Sequence, residues 1–328
     1  LKIILMTIYV ILRFKIKIIH GRGLIPSFIG LILKKLFFFQ KINLLFDCRG
    51  LWADERIDNS ILKIDKFIDK MIYKILKIIE RFCLLNSNHI VFLTQKVKTE
   101  LENLYKIEFI NSTIIPCCVD FNKFDFRKKD YFKKIFKENY NIPENSIVFN
   151  YNGSLTGVYL LEEMLSFFYK IKDKIPNAFF VITSPDINPA SKIIDLKYKN
   201  LKKSIIISEV SHSEIPNYLS ISDFSIAFIK ETYARCAMSP TKLAESLALG
   251  VPVIYNDNIG DVTSIINKLN AGIVIDYNNS SEIQSFINNY KKIYNFRGEN
   301  LVHMSKKYFD ISIANKKYLD IYKKLETN

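Results

Sequence analysis

Short β-branched runs alternate with longer segments of helical spacing along this 328-residue chain. No other feature constrains the fold as much. The runs occupy residues 16–20, 43–47, 90–94, 113–115, 147–151, 179–183, 204–208, 224–228, 252–255 and 273–276. Buried strands read as near-continuous apolar runs, and βαβα order implies parallel sheets with helices on both faces. A polar stretch, 121–144, ends in Asn-Ile-Pro-Glu-Asn and places a boundary near residue 142. The expectation is α/β: two doubly wound Rossmann-like domains, 1–141 and 142–310, and a closing helix, 311–328, free to pack on either. The C-terminal domain has strand candidates for a full sheet. The N-terminal domain has fewer than the roughly six usual in such folds. It is therefore expected to be incomplete, lacking its first strands in a chain that begins with Leu1.

Composition narrows the class. Apolar residues make up 49% and charged residues 24%, which excludes disorder and collagen-like repetition. The cysteines are Cys48, Cys83, Cys117, Cys118 and Cys236. An odd number without a Cys-x-x-Cys pair argues for a reducing compartment, against a disulfide-stapled module and against structural zinc. The greasiest runs, 3–12 and 24–39, are short or broken by Lys34 and Lys35, whereas a span needs about 20 apolar residues. Net charge is +14, and residues 1–110 hold 19 basic against 10 acidic side chains. That excess fits an anionic partner, whether membrane, nucleic acid or phosphorylated substrate, or a plain solvated surface.

Ligands in such sheets bind beyond the carboxyl ends of the strands. The most informative stretch there is Ser239-Pro-Thr-Lys-Leu-Ala-Glu-Ser-Leu-Ala-Leu-Gly-Val-Pro-Val-Ile. Ser239 suits an N-cap, Pro240 suits the first turn, and Gly250 suits a left-handed helix end. A helix N-terminus attracts phosphate, and Lys242 in the first turn has the wrong sign for the helix dipole unless an anion sits there. Arg235 could add a second cation, and Glu245, one turn deeper, could accept a ribose diol. The same spacing also fits an ordinary capped helix with a Lys–Glu surface pair.

The segment resembles the donor-binding helix of the GT-B retaining glycosyltransferases, the large group 1, family 4-like set. That pattern has a Glu, seven residues, then a second Glu before a small-residue helix, Gly and Pro-Val. Glu245 matches the second Glu, and Leu247-Ala-Leu-Gly-Val-Pro-Val-Ile follows. The first Glu would fall at Ala237. Asn152-Gly-Ser-Leu-Thr-Gly157 matches the first βα loop of the donor domain. Its lack of Arg and Lys shifts the phosphate contacts to Arg235 and Lys242. The resemblance covers nearly the whole chain. It implies two Rossmann-like domains facing a cleft and a retaining, metal-independent transfer from a UDP- or GDP-linked sugar. The acceptor would be a glycan or lipid-linked species of cell-surface polysaccharide synthesis. It implies no cofactor and a cytoplasmic enzyme, peripheral on the inner face of the plasma membrane. Lys242, Arg235 and the helix start at Ser239 and Thr241 are assigned to the diphosphate, Glu245 to the ribose, and Gly153 and Ser154 to the phosphate border. The other reading is a truncated, non-catalytic GT-B chain acting as a binding or partner subunit.

Asp47-Cys-Arg-Gly-Leu-Trp-Ala-Asp-Glu55 follows a strand, as does His20-Gly-Arg-Gly23. Both resemble acceptor-domain loops of the same set. Asp47, Arg49 and Glu55 are the catalytic candidates, with His20 and Arg22 beside them. Asp47 and Arg49 could equally be a buried ion pair, and His20 a packed strand-end histidine. Gly21-x-Gly23 is a poor dinucleotide fingerprint because Pro26 takes the third glycine position. There is no P-loop, no Asp-x-Asp clamp, no histidine cluster and no nucleic-acid module. Residues 61–84 spell a long amphipathic helix. Lys63, Lys66, Lys70, Lys74, Lys77 and Arg81 form a basic stripe beside Ile64, Phe67, Ile68, Met71, Ile75, Ile78 and Phe82. Asp65, Asp69 and Glu80 dilute it. The pattern fits an anionic membrane surface or a core helix with a solvated lysine face.

Overall fold

The computed structural model describes residues 2–327. Every predicted run becomes a strand. The first sheet holds β1 (Ile18–Arg22), β2 (Asn43–Cys48), β3 (His89–Phe92) and β4 (Ser112–Ile114), in that order and parallel throughout. The second holds β5 (Ile147–Asn152), β6 (Ala178–Ser184), β7 (Ile205–Glu209), β8 (Phe224–Ala227), β9 (Val253–Tyr255) and β10 (Gly272–Val274). Its order is β7-β6-β5-β8-β9-β10, again all parallel. Chain direction across the sheet reverses between β5 and β8. That switch point is where an open α/β sheet leaves a ligand crevice beyond its carboxyl ends.

The chain forms two compact units. The first comprises the residues up to Pro116, Thr232–Ser239 and the residues from Ser312 onward. The second comprises Cys117–Glu231 and Pro240–Ile311. The first has a core of Leu44, Phe46, Ile90 and Phe92 from its central strands, closed by Leu24, Leu31, Val97 and Leu101. The second is rich in aromatics: Phe149 and Phe224 stack at 5.3 Å on adjacent strands, and Phe286 meets both edge-on. Burying each such ring contributes about 1.5–3 kcal/mol.

The break expected near residue 142 lies inside the second unit. Val119 bridges to Asp310, and Val119 N–H donates to Phe309 O at 2.9 Å. The polar stretch is not a linker but carries a helix, Lys129–Asn139, whose Phe136 packs with Ile142, Val148, Val181 and Ile221. The closing helix, Ile311–Thr327, packs on the first unit from Ser312 onward: Asn43 Nδ2 donates to Leu325 O at 2.6 Å, and Lys317 Nζ to Ile114 O at 3.0 Å.

The basic amphipathic helix runs from Phe67 to Asn86, so Lys63 and Lys66 precede it. It packs on the core by one side and keeps Lys70, Lys74 and Arg81 in solvent. Leu76, Glu80, Cys83 and Leu84 face inward, and Phe67, Ile68, Met71, Ile75 and Ile78 are exposed. Among the described residues no helix is long and apolar enough to cross a membrane.

Lys129 is buried, its Nζ 3.4 Å from Leu249 O. Desolvation pushes its pKa down to about 7, with Asp223 pulling the other way. Asp223 is itself held by Lys133 Nζ at 2.6 Å and Arg297 Nη1 at 3.2 Å. The native state gives up the Lys129 proton near pH 7, and the unfolded chain near 10.5. Between those values unfolding takes up a proton, so stability rises with pH; below 7 the full cost of the buried charge is present. Replacing Lys129 with Met should therefore stabilise the protein most at or below pH 7, with the gain shrinking toward pH 10. Urea unfolding of both proteins across that range checks this. A gain independent of pH would show that Lys129 does not change charge on unfolding.

Candidate functional site

In the second unit, β5 ends at the switch point and runs into Gly153. Gly153 has φ +120, and a Cβ built on it would lie 2.6 Å from Lys242 Nζ. The lysine thus rests directly against the glycine backbone, an approach no side chain there would permit. Lys242 stands in the first turn of helix Thr241–Ala248 and is only 9% exposed. Its Nζ lies 3.8 Å from the centroid of the Tyr159 ring and 5.6 Å from that of Tyr151. Glu245, one turn on and also buried, faces other partners. Its Oε2 accepts from Asn152 Nδ2 at 3.0 Å, and its Oε1 lies 3.5 Å from His212 Nε2. Among the described residues no carboxylate pairs with the Lys242 ammonium. A cation so placed rests on an aromatic face and sits at the positive end of a helix, an arrangement that a bound anion would complement. Asn152 Oδ1 is also buried without a hydrogen-bond partner among the described residues.

In the first unit, Asp47 is the second-last residue of β2 and is 2% exposed. Tyr318 Oη donates to its Oδ2 at 3.2 Å, His20 Nε2 lies 3.6 Å from Oδ2, and Arg49 Nη1 lies 3.8 Å from Oδ1. His20 Nδ1 is 2.7 Å from Tyr322 Oη. Burial and the Asp47 charge push the Tyr318 phenol well above its ordinary range, so it stays a donor. Glu55, in the first turn of helix Trp52–Asp58, folds against Gly50. Burial raises its pKa, and Arg235 partly opposes the rise. Arg22 is exposed. An open cavity of about 660 Å³ lies in the same unit, lined by Asp54, Asp58, Tyr73, Glu100 and Tyr233.

The structure brings Gly153, Lys242 and Glu245 together; Ser154 and Thr241 are exposed neighbours on the same loop and helix. It also brings Asp47, Arg49 and His20 together. Arg235 and Ser239 depart from expectation, because both belong to the first unit. Arg235 is buried in the turn Tyr233–Ala237, where Nη2 lies 3.6 Å from Asp58 Oδ2 and Nε donates to Thr232 Oγ1 at 3.2 Å. That turn is fastened by Thr94 Oγ1, which donates to Cys236 O at 2.6 Å. The cap of helix Thr241–Ala248 is Pro240, not Ser239, and no side chain caps it. Proline, with φ −67, takes the position that the serine was expected to fill. Sequence reasoning missed Asn152, Tyr159, His212, Tyr318 and Tyr322. Asn152 had a signal, its place at a strand end before Gly153. The tyrosines of the closing helix had none, being about 300 residues from their partners.

The family model described as glycosyl transferases group 1 matches residues 132–304, and that of glycosyltransferase family 4 matches residues 3–123. The chain belongs to the group 1 glycosyltransferases. No curated protein matches it. Among solved structures, a glycosyltransferase from Rickettsia africae ESF-5 is similar at 19% identity and TM-score 0.71, over 99% of this chain and 81% of that one. Anabaena Alr3699/HepE in complex with UDP and glucose is similar at 12% identity and TM-score 0.67, over 94% and 77%. WaaG, a glycosyltransferase involved in lipopolysaccharide biosynthesis, is similar at 13% identity and TM-score 0.62, over 84% and 77%. At these identities the likeness establishes the fold, two Rossmann-like units of the GT-B type.

One departure of this glycosyltransferase from the sequence pattern has a physical reason. Ala237 is 1% exposed and packs with Cys236 in the apolar core of the first unit. A glutamate there would be desolvated without a partner. Among the described residues no group of three or more His, Cys, Asp or Glu converges as metal ligands would.

The Gly153 contact yields a prediction. Gly153→Ala should destabilise the enzyme by about 1–3 kcal/mol, because alanine is strained at that φ, and should displace Lys242. Denaturant unfolding measures the first effect. Unchanged stability would mean that the loop relaxes to a negative φ and that the close approach is not required.

Proposed function

We propose that the second unit binds a nucleotide-sugar by its diphosphate and that the chain transfers the sugar to a glycan or lipid-linked acceptor held by the first unit. The observation that carries this reading is the buried Lys242 ammonium, without a carboxylate partner among the described residues, set against Gly153 at the β5–β8 switch point. Lys242 and the backbone N–H groups at the start of its helix supply charge and donors for phosphate oxygens. Glu245 and Asn152 supply an acceptor pair for ribose hydroxyls, with Ser154 and Thr241 at the rim. Arg235 is already engaged by Asp58, so Lys242 bears most of the phosphate contact.

The chemistry is retaining transfer in which the chain's own groups stabilise the leaving group. As the bond from the anomeric carbon to the diphosphate oxygen breaks, negative charge grows on the diphosphate and positive charge on the sugar ring. Groups fixed in advance around the diphosphate lower that barrier, at about 1.4 kcal/mol per tenfold in rate. Asp47, Arg49 and Glu55 are assigned to the acceptor side, with His20 and Arg22 beside them. Tyr318 and Tyr322 position Asp47 and His20. The raised pKa of Glu55 suits a carboxyl that exchanges a proton with an acceptor hydroxyl. UDP-sugars are the first donors to test, since the similar Anabaena protein was solved with UDP and glucose. The setting we favour is cell-surface polysaccharide synthesis at the inner face of the plasma membrane, with the chain a peripheral protein there. A non-catalytic partner subunit is the second reading, motivated by the alanine at position 237.

Calorimetric titration with UDP and GDP tests the donor site. One of them should bind, and Lys242→Met and Glu245→Ala should each weaken it by about tenfold or more while circular dichroism stays native. Unchanged affinity in both folded variants would remove the assignment. Binding without transfer of a sugar to any acceptor would favour the partner-subunit reading.

A further inference from the structure

We propose that the outward face of helix Phe67–Asn86 docks the first unit onto an anionic lipid surface. The inference deepens the peripheral-membrane part of the reading above and names its contact. The helix is fixed from its inner side. Leu76, Cys83 and Leu84 are buried, Lys77 Nζ bonds Asp54 at 2.9 Å and Glu80 at 2.5 Å, and Tyr73 Oη donates to Asp54 at 2.9 Å. The opposite side is apolar and open to solvent: Phe67 is 75% exposed, Ile68 70%, Ile75 51% and Ile78 68%. With Met71 they recur three or four residues apart, which makes one continuous stripe. Lys70, Lys74 and Arg81, also exposed and similarly spaced, form an edge along it. Lys35, 4.5 Å over the Phe82 ring, ties in helix Leu24–Leu36, whose exposed Ile32 and Leu36 extend the apolar surface.

Of the three acids that dilute this stripe in sequence, only Asp65, just before the helix, is exposed and unpaired among the described residues. Glu80 is buried with Lys77, and Asp69 accepts from the Lys63 N–H at 2.9 Å. An apolar stripe with a cationic edge matches the acyl–headgroup boundary of an anionic bilayer, with side chains in the hydrocarbon and lysines at the phosphates. Charge complementarity selects that occupant. A second copy of this face would bring the same cations against the stripe, in a chain of net charge +14.

The test is co-sedimentation with phosphatidylglycerol-containing vesicles and with pure phosphatidylcholine vesicles. Variants Ile68→Ser/Ile75→Ser and Lys70→Glu/Lys74→Glu are compared with the parent, with UDP titration and circular dichroism on every preparation. The parent should bind the anionic vesicles, and each double variant should bind at least about tenfold less, with folding and UDP affinity unchanged. Failure of the parent to bind, equal binding by folded variants, or a dimer that the serine variant dissociates would overturn the proposal. Vesicle binding without UDP binding would support the docking face and count against the transferase reading.

Discussion

In the second unit a buried lysine has no carboxylate partner among the described residues. Lys242 sits nearly out of water, in the first turn of a helix, at the positive end of its dipole. Two features accommodate it: Gly153 yields the space, and Tyr159 gives a π-face at 3.8 Å. Glu245 could have neutralised the lysine three residues away. It is turned instead to Asn152 and His212. The positive charge therefore remains available to a ligand.

The first unit follows a different logic. Its charged groups are mostly satisfied in place. Asp54 is shared by Tyr73 and Lys77, and Asp58 by Thr232 and Arg235. Asp47 differs, since its buried Oδ1 has Arg49 nearby at 3.8 Å but no hydrogen bond among the described residues. Tyr318 and Tyr322, delivered by the closing helix, hold the other side of that cluster.

Much of this was legible in sequence because it is local. Near-continuous β-branched runs gave every strand of both sheets, and the helix ending before Gly250 was readable from residue type, its start one residue later than read, with Pro240 as the cap. Lys242 and Glu245 were readable as neighbours on one helix, but Glu245 turns to Asn152 and His212 and does not pair with the lysine. What failed was long-range. Arg235 and Ser239 look contiguous with Lys242, yet Asp58 and Thr94 draw their turn into the first unit. Tyr318 and Tyr322 meet residues at the far end of the chain. The helix Phe67–Asn86 is ambiguous for another reason. Apolar positions occur on more than one side, and periodicity cannot say which side meets the core. Leu76, Cys83 and Leu84 met it.

The account makes the unpaired ammonium the anchor of the donor diphosphate, and a structure of the protein with UDP tests that most directly. It should show a phosphate oxygen hydrogen-bonded to Lys242 Nζ over Gly153, and ribose hydroxyls on Glu245. Phosphates bound elsewhere, with Lys242 still resting on the Tyr159 ring, would contradict it.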